Sequence, residues 1–142
     1  MMNENIKLST NSNKVVVWLT SPLYAKLILE KAVEFSARSD AEVVAVCMQP
    51  PIGDDWIQRA RDIEIIEKAV RSANAQLRVE FTENQLKTAY DIINNVSPIA
   101  MFTGMPAEVS KSSVFIENIR QMAEGKANLY TVDRSGGVLM IE

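Results

Sequence analysis

The sequence predicts a three-layer α/β/α domain on an open, parallel, five-stranded sheet with strand order 3-2-1-4-5. Three observations carry this expectation. Short β-branched runs alternate with longer stretches whose apolar residues recur every three or four positions, so strands and helices take turns along the chain. The first two strand candidates, VVVWL and AEVVAVCMQ, are continuously apolar, as strands covered on both faces must be. The connections are long enough for a helix to carry the chain back across the sheet, and that series requires parallel strands.

Taken in order, residues 1–13 are polar and rich in Asn and Ser, which reads as a flexible N-terminal arm. A single domain is expected over 14–142. Val15 to Leu19 form strand one, which stops at Thr20-Ser21-Pro22; Ser21 is expected to cap the first helix with Pro22 opening it. Ala25, Ile28, Leu29, Ala32 and Phe35 then share one helical face. After strand two, PPIGDD breaks the chain before a second helix with Ile57, Ala60, Ile63, Ile66, Val70 and Ala73 inward and a charged face that includes Arg59. Trp18 and Trp56 read as packing residues.

LRVEF alternates apolar with charged residues, the pattern of a sheet edge. Thr82 and Gln85 read as a capping box for a third helix with Leu86, Ala89, Ile93 and Val96 inward. PIAMFTG is strand four. The fourth helix turns Phe115, Ile116, Ile119 and Ala123 to the core and ends at Gly125. NLYTV is strand five, and after DRSGG the tail VLMI has room to form one more.

Composition narrows the function. The 142 residues are 47% hydrophobic with a formal net charge of -3, enough for one core and without the basic field that nucleic acid or an anionic membrane requires. No apolar run is long enough to span a bilayer and the first residues lack a signal-peptide core, so a cytoplasmic protein is expected. There is no histidine, which removes the usual general base and the commonest zinc ligand. The single cysteine, Cys47, falls in a buried strand with no basic neighbour and reads as a core residue. Asp54 and Asp55 precede a helix, where they complement its dipole rather than hold a metal. No catalytic residue and no metal ligand is expected.

An open parallel sheet binds ligands at the carboxyl ends of its strands where the winding reverses, here after strands one and four. The residues found there carry a resemblance. VVVWLTSP, the long helix after CMQPP, and MFTG followed by SSVFIENI resemble the universal stress protein family over roughly residues 14 to 133. In the ATP-binding members, the resemblance implies an Asp closing strand one and a loop G-x2-G-x9-G-[ST] after strand four. Here Thr20 stands at the aspartate position, Gly104 matches the first glycine, Ala107 replaces the second, Ser112 the third, and Ser113 matches the final hydroxyl. The loop is also shorter.

Such a loop loses the glycines that let backbone approach a phosphate, while the start of the fourth helix still offers free N–H groups beside Lys111, Ser112 and Ser113. For these serines, and for Thr20 and Ser21, capping and turn formation are the simpler role. The residues the resemblance implies a ligand would meet are Thr20, Ser21, Val46 in strand two, whose end lines the base pocket in the family, Gly104, Lys111, Ser112 and Ser113.

Other folds of the same order fit less well. A phosphorylated receiver needs acidic residues after its early strands, a sugar-phosphotransferase domain needs Cys or His after strand one, and a flavin carrier needs a longer Ser/Thr loop there. No G-x-S-x-G elbow is present. The expectation is a regulatory or binding module with an eroded nucleotide site and no resident cofactor, with ATP or AMP binding and small-anion sensing as the alternatives. A homodimer through the last strand and the C-terminal tail is expected, with a further protein partner as a second option.

Overall fold

The computed structural model describes residues 13–19, 21–51, 53, 55–105 and 111–141, and only the backbone of 111–113. Within them the chain runs β1 (Asn13–Leu19), α1 (Ala25–Ser39), β2 (Ala41–Gln49), α2 (Trp56–Ser72), β3 (Gln76–Phe81), α3 (Gln85–Val96), β4 (Ala100–Gly104), α4 (Lys111–Ala123), β5 (Asn128–Val132) and β6 (Val138–Ile141). The sheet order is β3-β2-β1-β4-β5-β6. β1 to β5 pair in parallel, as expected from the crossover helices. The addition is β6, which turns back and pairs antiparallel with β5, so the sheet is mixed and six-stranded. Asn13, expected in the arm, is the first residue of β1.

Alternation along the central strands divides the core in two. Val15, Val17, Leu19, Val43, Ala45, Cys47 and Phe102 meet α1 and α2 on one face. Val16, Trp18, Val44, Val46, Met48, Met101 and Leu129 meet α3 and α4 on the other. Trp18 anchors the second layer: it is 1% exposed, meets Phe115 edge-on at 5.9 Å, and donates its indole N–H to the Met101 sulfur at 3.4 Å. On the first face Phe102 stacks on Tyr130 at 4.9 Å, with Phe35 against both. β3 is an edge strand, as its alternation indicates, and Arg78 and Glu80 form an ion pair along it.

Four local expectations are corrected. α1 starts at Ala25 rather than beside Ser21, because residues 21–24 form a turn in which the Ser21 hydroxyl accepts from the Leu23 N–H at 3.1 Å. α3 is capped by Asn84, whose side chain accepts from the Lys87 N–H; the Thr82 hydroxyl instead accepts from the Asn84 N–H and from the Thr88 hydroxyl. The start of α2 stands clear of the sheet, leaving Trp56 65% and Ile57 53% exposed. Arg59 folds back to donate to the Pro50 carbonyl at 2.7 Å and to pair with Asp55, under a Gly53 where a Cβ would lie 2.6 Å from its Nη2. Gly125, with φ +76, ends α4 in the left-handed conformation as expected.

Candidate functional site

The winding reverses between β1 and β4, which pair side by side with Trp18 opposite Thr103. Their carboxyl ends therefore open the crevice where an α/β sheet of this order takes ligands. Three segments border it among the described residues: the turn 21–24 into α1, Gly104 and Met105 after β4, and the backbone of the first turn of α4.

The turn carries a conformation that propensity does not foresee. Tyr24, the residue before α1, sits at φ 64 and ψ 8, a left-handed geometry that costs a bulky side chain about 1–2 kcal/mol. Tyr24 is 40% exposed, and the Arg134 guanidinium lies over its ring at 5.7 Å from the centroid. Arg134 belongs to the β5–β6 turn, so the added hairpin brings a positive charge to the start of α1.

At the end of β4, Gly104 does not have a positive φ. What requires glycine is space, since a Cβ would lie 3.2 Å from Ile28 Cδ1 on α1. The next residue is held by the sheet, the Met105 N–H donating to the Val132 carbonyl at 2.9 Å. Below it the Thr103 hydroxyl lies 3.4 Å from the Trp18 carbonyl. Its neighbour across the ladder, Thr131, is 2% exposed and its hydroxyl has no hydrogen-bond partner among the described residues.

The seven residues singled out from sequence are placed unequally. Gly104 and Ser21 border the crevice, Ser21 spending its hydroxyl on the turn. Val46 is 1% exposed and enclosed with Trp18 and Met48. Lys111, Ser112 and Ser113 open α4, whose first N–H groups have no helical acceptor. Thr20 and the loop 106–110 lie outside the described residues. Sequence reasoning put Ile28 on the core face of α1 without tying it to Gly104, and it did not single out Tyr24, Thr131 or Arg134, since none stands in a motif; each matters through a neighbour distant in the chain.

Among the described residues, ionisable chemistry near the crevice is sparse. Asp133, which closes the β5–β6 turn, has its carboxyl held below the usual aspartate value by the Gly137 N–H, then by the Ser135 hydroxyl. Burial pushes the Cys47 thiol up, as befits an unreactive core cysteine. No group of three His, Cys, Asp or Glu side chains that could hold a metal occurs among the described residues. No helix there is long and apolar enough to cross a membrane.

No family model and no curated protein sequence matches the chain. Solved structures do. A universal stress protein from Archaeoglobus fulgidus matches with a TM-score of 0.63 at 16% identity, over 90% of this chain and 97% of that one. The universal stress protein from the same organism in complex with dAMP matches with a TM-score of 0.58 at 17% identity, over 86% and 96% of the two chains. The fold is that of the universal stress proteins. An N,N'-diacetylchitobiose deacetylase from Pyrococcus horikoshii is similar as well, with a TM-score of 0.60 at 11% identity over 92% of this chain and 69% of that one. A universal-stress-protein fold thus leaves function to be argued from the residues of the crevice.

Proposed function

We propose that the chain is a regulatory or binding module of the universal-stress-protein type, cytoplasmic and not catalytic, whose nucleotide site is eroded. Gly104 carries this reading. The one glycine retained from the family loop is accounted for by its close approach to Ile28, with no positive φ that a phosphate-wrapping turn would need. The sequence has no histidine, the usual general base, and Thr20 stands where the family resemblance implies an acidic residue.

A second reading, retained ATP or AMP binding with slow or no hydrolysis, is favoured by the dAMP complex of the similar structure. The N–H groups at the start of α4, which have no acceptor within the helix, and the guanidinium of Arg134 favour a third, the sensing of a small anion.

The module works as a homodimer joined along its last strand. β6 is a sheet edge with Val138 46%, Leu139 55% and Met140 44% exposed, and none of these carries the charge or proline with which an edge is normally protected. The opposite edge, β3, has the Arg78–Glu80 pair. A different protein docking on β6 is the alternative.

Thermal unfolding with and without millimolar ATP, AMP or inorganic phosphate, each with magnesium, tests the site. A ligand at one hundred times its dissociation constant adds about 2.7 kcal/mol, or roughly 8 °C for a domain of this size. The eroded site is expected to give no shift with ATP or AMP. A rise of several degrees with either nucleotide overturns it, and a rise with phosphate alone selects the anion reading.

A further inference from the structure

The β5–β6 hairpin touches two parts of the molecule at once. Along β6 it presents the free edge of the sheet. Across its turn it lies on α1 at the crevice: Arg134 covers the Tyr24 ring, and Gly136, at φ +91, is seated so that a Cβ would lie 3.5 Å from Lys31 Cε and 3.6 Å from Leu27 Cδ1.

The turn between these contacts is internally fastened. Asp133 Oδ1 accepts from the Ser135 N–H at 3.0 Å, the Ser135 hydroxyl at 2.9 Å and the Gly137 N–H at 2.7 Å. The Asp133 N–H donates to the Gly137 carbonyl at 2.9 Å, and the Gly136 N–H to the Asp133 carbonyl at 3.0 Å. Five hydrogen bonds within 133–137 make the turn a rigid link, so whatever steadies β6 also steadies Arg134 and Gly136.

We infer that seating a second copy on β6 stiffens the crevice wall at residues 21–28, the hairpin coupling dimer formation to the site. This rests on the dimer reading above. β6 has only four residues and is paired on one side, which makes it a strand prone to fraying. Antiparallel pairing about a two-fold axis at Leu139 sets Val138 opposite Met140 of the second copy and Leu139 opposite its own counterpart, so that the outward backbone groups of Val138 and Met140 pair with one another. The ordered hairpin then holds the left-handed Tyr24 in place, and α1 begins from a fixed point.

Sedimentation velocity over a dilution series, paired with hydrogen exchange of the amides of residues 21–28, tests the coupling without any ligand. The expected result is a dimer that dissociates on dilution, with these amides exchanging about fivefold more slowly in the dimer, the lower end of ordinary coupling between sites. Leu139→Lys should be monomeric and exchange at the faster rate at every concentration, whereas Arg134→Ala should remain dimeric and lose most of the difference. A dimer with unchanged exchange at 21–28 overturns the coupling and leaves the dimer standing. A monomer at all concentrations, or a dimer that survives Leu139→Lys, overturns both. The dilution series uses the unmodified protein, so the outcome does not depend on either variant folding.

Discussion

The role assigned to Gly104 makes a stability prediction whose sign depends on a second residue. In Gly104→Ala the new methyl would stand 3.2 Å from Ile28 Cδ1, a few tenths of an ångström too close, and Ile28 is 6% exposed and has little room to yield. Overpacking of this kind costs about 1–3 kcal/mol. Against it stands the loss of glycine's freedom in the unfolded chain, which favours alanine in a strand by about 0.5–1 kcal/mol where φ is ordinary. The net expectation is a destabilisation of about 1 kcal/mol. Ile28→Val removes the offending Cδ1 and by itself costs about 0.5–1.5 kcal/mol. In that background Gly104→Ala should become stabilising by about 0.5–1 kcal/mol, a coupling of roughly 1.5–2 kcal/mol between the two positions. Urea unfolding of the four proteins, with equal slopes and shifted midpoints, measures it. Additive costs would refute the packing explanation and return Gly104 to the candidate phosphate loop.

Two further outcomes are expected. The folded Asp133 carboxyl lies below its ordinary value of 3.8, so its contribution to the β5–β6 turn is complete above that value and is lost as pH falls through the lower folded one. Amide exchange at 133–141 should accelerate in that acid window, and Asp133→Asn should show the loosened turn already at neutral pH. The two tryptophans should part company: Trp18→Ala should cost about 3–5 kcal/mol in urea unfolding, and Trp56→Ala less than about 0.5 kcal/mol, with iodide quenching only the Trp56 fluorescence. Comparable costs at both positions would contradict the placement of Trp56 outside the core.

The sequence by itself determined the alternation of elements, the parallel pairing of β1 to β5, the edge position of β3 and the place of the crevice. Periodicity reports burial along one element, and chain order with crossover helices leaves few arrangements of the strands. It also supplied the resemblance, because strand ends and the loop after β4 are local features. Where a helix starts was less legible: Ser21 and Thr82 are good caps, but the turn at 21–24 and the Asn84 side chain displaced them, since several polar residues in a row compete for the same N–H groups. Helical spacing likewise put Ile57 inward, although the beginning of α2 overhangs the sheet and leaves it exposed. Only tertiary structure decided why Gly104 is glycine, how Arg59 is spent and that the turn after β5 reaches Tyr24. Each depends on the meeting of groups that the chain separates and the fold brings within van der Waals or hydrogen-bonding distance. A sequence pattern encodes which face is buried, whereas a contact of this kind exists only once two elements have packed.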